Sequence, residues 1–178
     1  MLNTLGQFSI LFALGLAATG AISSLVGIGA RQPAWIRTAR NAVFLTFAML
    51  TLGMAALEYG FLTHDYSLKY VAANANNAMP TFYVATALWG GHEGSMLLWT
   101  WLLSMYAGIA AWLHWRTHPQ AMPYLLMITS VITFGFLCLI AFLSNPFELL
   151  PSVPQDGRGL NPLLQDPGMV FHPPFLYL

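Results

Sequence analysis

The chain has 178 residues, of which 57% are hydrophobic and only 7% charged, too thin a polar coat for a soluble domain of this size. Six basic and six acidic residues cancel to zero net charge, which leaves no basic field for a phosphate backbone and excludes nucleic acid as a partner. Cys138 is the single cysteine, so no C-x-x-C redox pair, disulfide framework or covalent c-type haem attachment site can be built from this chain.

The first apolar run, residues 5–30, exceeds the roughly 20 residues a spanning helix needs. No Lys or Arg precedes it, so it lacks the basic start of a cleaved signal peptide and reads as a retained span. Ala13, Ala17 and Ala21, with Gly20 and Ser24 at the same spacing, predict a small-residue face for close helix packing. Arg31, Pro33, Arg37 and Arg40 form a short basic connection to the second span, residues 42–62. Glu58 lies near the end of that span, about one turn from polar His64 and Asp65; an intramembrane carboxylate invites a functional reading, but this one can reach the interface by snorkelling.

Residues 63–94 turn polar and read as a loop outside the membrane, with Ser67–Ala72 as a short strand and Phe82–Trp89 as a short interfacial helix. The loop ends in W-G-G-H-E-G-S-M-L-L-W-T-W, residues 89–101. Ser95 is the expected N-cap of the third span, residues 95–112, and Trp89, Trp99 and Trp101 the expected interface anchors. His92 and Glu93 then sit at the helix mouth. They could exchange protons there, although holding the Gly-rich turn is the simpler role.

Past the third span, His114 and His118 have a spacing that could ligate a metal, but Pro119 disfavours helix at His118 and no third ligand is near. The fourth span covers residues 123–143, and residues 144–178 form a Pro/Gly-rich segment leading to a further, truncated span. Arg31, Arg37, Arg40 and Arg116 fall in the two short loops on one side, which are expected to be cytoplasmic, with both termini periplasmic. In the tail, Pro173 is expected to hold His172 extended among Phe171, Phe175 and Tyr177, with Pro174 adding stiffness. An imidazole so presented suits an axial ligand of haem, or else is a solvated loop histidine.

The expected fold is all-α: a polytopic integral membrane protein with four transmembrane helices, periplasmic loops and a short interfacial helix. The series W-G-G-H-E-G-S-M-L-L-W, S-N-P-F, G-R-G-L-N-P-L-L-Q-D-P-G and F-H-P-P-F-L-Y resembles the N-terminal part of the CcmF family, the haem lyase component of cytochrome c maturation. The resemblance runs from near Leu5 to the last residue. It implies a multi-pass bacterial inner-membrane protein that takes haem from the haem chaperone CcmE and, with the thiol-handling CcmH, joins it to apocytochrome c. It also implies that His172 is one axial ligand of a transient haem b, the second ligand lying outside this chain. The family's tryptophan-rich platform, second periplasmic histidine and two intramembrane histidines have no counterpart here, so this portion alone is expected to be inactive. A structural membrane subunit without its own haem site, or a small transporter, are the competing readings; the spans carry no polar stripe that would favour transport.

Overall fold

The computed structural model describes residues 1–177, with side chains described for all of these except Pro173, Pro174, Leu176 and Tyr177. Among the described residues four helices are long and apolar enough to cross a membrane: α1 (Leu2–Ala30), α2 (Pro33–Leu62), α5 (His92–His114) and α6 (Met122–Phe142). Between α2 and α5 lie two short helices, α3 (Lys69–Asn74) and α4 (Thr81–Thr86), the latter running into a 3₁₀ turn at Ala87–Trp89. After α6 come a long irregular strap, a 3₁₀ turn at Pro162–Gln165 and α7 (Pro167–Tyr177). The all-α expectation is borne out.

The spans close into a ring, with α1 against α2 and α6, and α5 against the same two neighbours. Small residues make this closeness possible: Ala13, Ala17, Gly20 and Ser24 of α1 are all buried, while Ala21 is only partly so. A Cβ on Gly20 would come within 2.6 Å of the Ser130 hydroxyl of α6, and bulkier residues there would push the two helices apart. Hydroxyls inside the ring are satisfied mainly by their own helix, as where Thr46 donates to the Ala42 carbonyl at 2.8 Å and Thr100 to Met96 at 2.7 Å. The outward faces stay apolar, with Leu25, Leu45, Ile128 and Phe142 among the exposed residues, as a lipid-facing surface requires.

The loop after α2 and the strap after α6 meet at one end of the ring. Residues 67–72 are not a strand. One isolated bridge joins Leu68 to Leu149, and the chain then turns into α3. The reason is burial of three consecutive residues, Tyr70, Val71 and Ala72, which a strand would send to opposite faces. The expected helix near residues 82–89 is present as α4 and the following turn.

The third span also starts earlier than its sequence suggests. Gly91, in extended backbone, is its N-cap, and Ser95 lies inside the first turn, where its hydroxyl donates back to the Trp89 carbonyl at 2.9 Å. Trp99 and Trp101 consequently sit well down the helix, packed partly against the interior, and the Trp101 indole donates to Thr51 of α2 at 2.9 Å.

Candidate functional site

The Gly-rich turn is built around one phenol. Tyr70 of α3 is buried; its hydroxyl donates to the Leu88 carbonyl at 3.0 Å and accepts the Gly91 N–H at 2.9 Å. One side chain therefore closes the turn that leads into α5. Burial raises the phenol well above its ordinary range, so it keeps its proton and remains a donor. Gly91 and Gly94 lie directly against this ring, and a Cβ on Gly94 would overlap the Leu88 carbonyl oxygen. His92 points out and is exposed, while Glu93 is partly exposed in the first turn, where a carboxylate is favoured by the helix dipole.

Two tail segments dock onto this turn. Leu160, from the G-R-G-L-N-P run, is buried against Gly90, leaving no room for a side chain there. Further on, the Trp89 indole N–H donates to the Val170 carbonyl of α7 at 3.0 Å, and Val170 is itself buried. Trp89 lies three residues before His92 and Val170 two before His172, so the structure brings both motifs to one surface.

His172 is not on an extended segment. It lies in α7, on an exposed position, with both following prolines inside the same helix. The signal that competes with the Pro173 effect lies upstream: Asp166 is the cap, its carboxylate accepting the Gly168 N–H at 2.8 Å, and Pro167 begins the helix with its preset φ. Helix initiation at D-P-G thus outweighs the bias that Pro173 places on its neighbour, which membrane-associated helices tolerate. Phe171 and Phe175 are also exposed, with ring centroids 6.4 Å apart one turn from each other. The Tyr177 side chain lies outside the described residues. Met169, also exposed, is one turn before His172, so the imidazole stands amid an apolar patch.

The strap itself is held by Asp156. Its carboxylate accepts the Asn77 N–H at 2.8 Å and the Gly157 N–H at 2.8 Å, and lies 3.2 Å from the Tyr66 hydroxyl. Arg158 and Gly159 then donate to the Ala72 and Ala75 carbonyls at 2.8 and 3.1 Å, with Gly159 at φ +83°, a conformation that favours glycine. The bond from the Asn77 N–H is the largest cause holding Asp156 below the usual carboxylate range. A folded-state pKa below the unfolded one adds stability above the unfolded value that is lost as pH falls through the depressed one. Acid release of the strap is therefore expected below about pH 4. It is read as a lower protection factor for the Arg158 and Gly159 amides, with the intrinsic pH dependence of exchange divided out, and Asp156→Asn, which cannot ionise, should show the lowered protection already at neutral pH with no acid transition; an unchanged protection factor through the acid range would refute it.

The remaining sequence candidates lie elsewhere. Glu58 is half-buried in the last two turns of α2, near the loop-bearing end. His114 and His118 stack face to face at the opposite end, centroids 5.6 Å apart. Among the described residues no three metal-ligating side chains gather.

The model of a family described as cytochrome C assembly protein matches residues 89–178, from the helix-mouth tryptophan through α7. The chain belongs to the cytochrome c assembly protein family. Its resemblance to CcmF is borne out by curated relatives. Ccl1 of Rhodobacter capsulatus, a cytochrome c-type biogenesis protein, is 40% identical over 178 residues, all of this chain and 27% of the relative. CcmF of Pseudomonas aeruginosa is 41% identical over 180 residues, covering 100% of this chain and 27% of the relative, and NrfE of Haemophilus influenzae is 39% identical. A solved structure titled cytochrome c heme lyase CcmF superimposes with a TM-score of 0.84 at 25% identity, over 99% of this chain and 28% of that one. The chain thus spans a little over a quarter of the length of the relatives it matches, and as a member of the assembly family it carries four candidate membrane spans.

Proposed function

We propose that this chain forms the part of a cytochrome c maturation haem lyase that steadies haem, as substrate, at the periplasmic face of the bacterial inner membrane. The observation that carries this reading is the exposed position of His172 on a helix anchored to Trp89, with exposed Met169 and Phe175 one turn to either side. Neutral imidazole is a common iron ligand, and exposed aromatic and thioether side chains can cover a flat apolar macrocycle. Family membership supports a role alongside other maturation components. CcmE as haem donor, CcmH as thiol handler and apocytochrome c as acceptor are the proposed partners.

The reaction adds each cysteine S–H across a haem vinyl group: a carbon–sulfur bond forms, the vinyl double bond becomes single, and the thiol proton passes to the other vinyl carbon. Nothing is oxidised by an outside reagent, so the protein's task is orientation rather than strong acid or base chemistry. His172 would fix the iron, with its second ligand supplied from outside this chain. His92 and Glu93 would shape the helix mouth and stand available for proton transfer at the same surface.

The test is reconstitution. Expressed with the C-terminal remainder of a CcmF relative in cells lacking their own lyase, the chain should restore cytochrome c yield, and the pair should retain haem through purification by its Soret band. The chain alone should retain little. Absence of both restored yield and Soret absorbance from well-folded pairs would sink the assignment.

A further inference from the structure

The two ends of the bundle differ in charge, although Lys69 and Arg158 stand among the acids of the loop-bearing end. All six carboxylates, Glu58, Asp65, Glu93, Glu148, Asp156 and Asp166, lie at or near the loop-bearing end, whereas Arg31, Arg37, Arg40 and Arg116 lie at the other. The arginine-bearing end therefore has no carboxylate of this chain to neutralise it, and His114 and His118 add only neutral or further positive groups.

Two of those arginines line one cavity of about 500 Å³ between the ends of α2 and α5, together with Phe44, Trp112, Leu113 and Trp115. The Arg40 guanidinium lies over the Trp115 ring, 4.3 Å from its centroid, which orients the planar donor fork. Its Nε is enclosed and has no hydrogen-bond partner among the described residues. Two guanidinium charges beside one cavity, with no carboxylate of this chain to offset them, call for an anion that comes from outside the chain. Below the arginines the wall becomes apolar and lipid-facing, with Trp112 75% exposed and Leu113 56% exposed.

A ligand that satisfies both halves must join an anionic, multi-acceptor head to long hydrocarbon tails. We infer that this cavity binds the phosphate head group of an anionic phospholipid, with Arg40 and Arg116 on the phosphate, Trp115 beneath the Arg40 fork, and the acyl chains along Trp112, Leu113 and Phe44. The site is separate from the surface carrying His172 and does not rest on the haem reading. Basic pockets at the ends of membrane helices take such head groups by the same complementarity. Arg suits the task because its donors match phosphate oxygens in pairs.

The experiment reconstitutes the chain in phosphatidylcholine vesicles containing increasing mole fractions of either brominated phosphatidylglycerol or brominated phosphatidylcholine, and follows indole quenching. The part of the quenching lost in Trp115→Phe reports this cavity. The anionic lipid should act at about fivefold lower mole fraction per engaged arginine than the zwitterionic one, the factor expected for one basic residue at a lipid surface. Arg40→Gln should reduce the preference about fivefold. Should that variant fail to fold, Arg116→Gln, at an exposed position, should still reduce it about fivefold. Equal quenching by the two lipids, or an undiminished preference in Arg116→Gln, would overturn the inference. Soluble glycerol 3-phosphate should leave the quenching unchanged; relief of quenching by it would show a free-anion site and also overturn the lipid assignment.

Discussion

Replacing Gly94 with alanine is expected to destabilise the protein by about 4 kcal/mol, although alanine is the better helix former at most positions. The new methyl would overlap the Leu88 carbonyl oxygen and come within 2.6 Å of the Tyr70 hydroxyl. Neither neighbour can yield cheaply. Leu88 is backbone, and moving Tyr70 breaks two bonds of a buried phenol, the one to Leu88 and the one from Gly91. The cost combines overpacking with a buried carbonyl left without its donor. Gly15→Ala is the control, since a Cβ there meets nothing within 4 Å, and it should change stability by less than about 1 kcal/mol. Thermal unfolding in detergent, followed by helical circular dichroism, separates the two; equal midpoints would show that the Gly-rich turn is free to adjust.

Loss of haem retention without loss of fold is the expected result of His172→Ala, made in the chain combined with the C-terminal remainder of a relative. His172 is exposed, and surface substitutions usually change stability by no more than about 0.5 kcal/mol. Removing an axial ligand should cost the transient site about a hundredfold in haem affinity, at least what changes to a ligand's supporting residues already cost. His172→Met, which keeps an iron-binding side chain, should retain part of the signal with a shifted Soret band. Trp89→Phe offers a graded comparison, because it keeps the imidazole but removes the bond to the Val170 carbonyl that anchors α7. One lost hydrogen bond is worth about 1 kcal/mol, so the effect should be about fivefold, far short of the ligand's own. Should His172→Ala leave haem retention and cytochrome yield unchanged, His172 has no part in the mechanism.

The four spans were legible because hydrocarbon admits no unpaired backbone groups, so each apolar run of sufficient length has to be a helix. The family motifs were legible for a related reason. Their glycines and prolines answer to backbone demands that show in the letters, even before the neighbours imposing those demands are known. Less accessible were the places where two local signals compete. The cap at Asp166 and the proline after His172 argue for opposite conformations, and only the docking of Val170 under Trp89 shows which one holds. Likewise the run 67–72 alternates well enough for a strand, and its helical turn follows from burying Tyr70, Val71 and Ala72 together.

By itself, then, the sequence determined the membrane class, the four spans, the family and the gathering of Arg31, Arg37, Arg40 and Arg116 in the short loops, since composition and periodicity act locally along the chain. Only the tertiary structure decided that Tyr70 closes the Gly-rich turn, that Trp89 anchors the helix carrying His172, and that Arg40 lies stacked over Trp115 beside an apolar wall. Each of these joins residues from 18 to 81 positions apart in the chain, and such contacts depend on how the four helices pack rather than on any local run of letters.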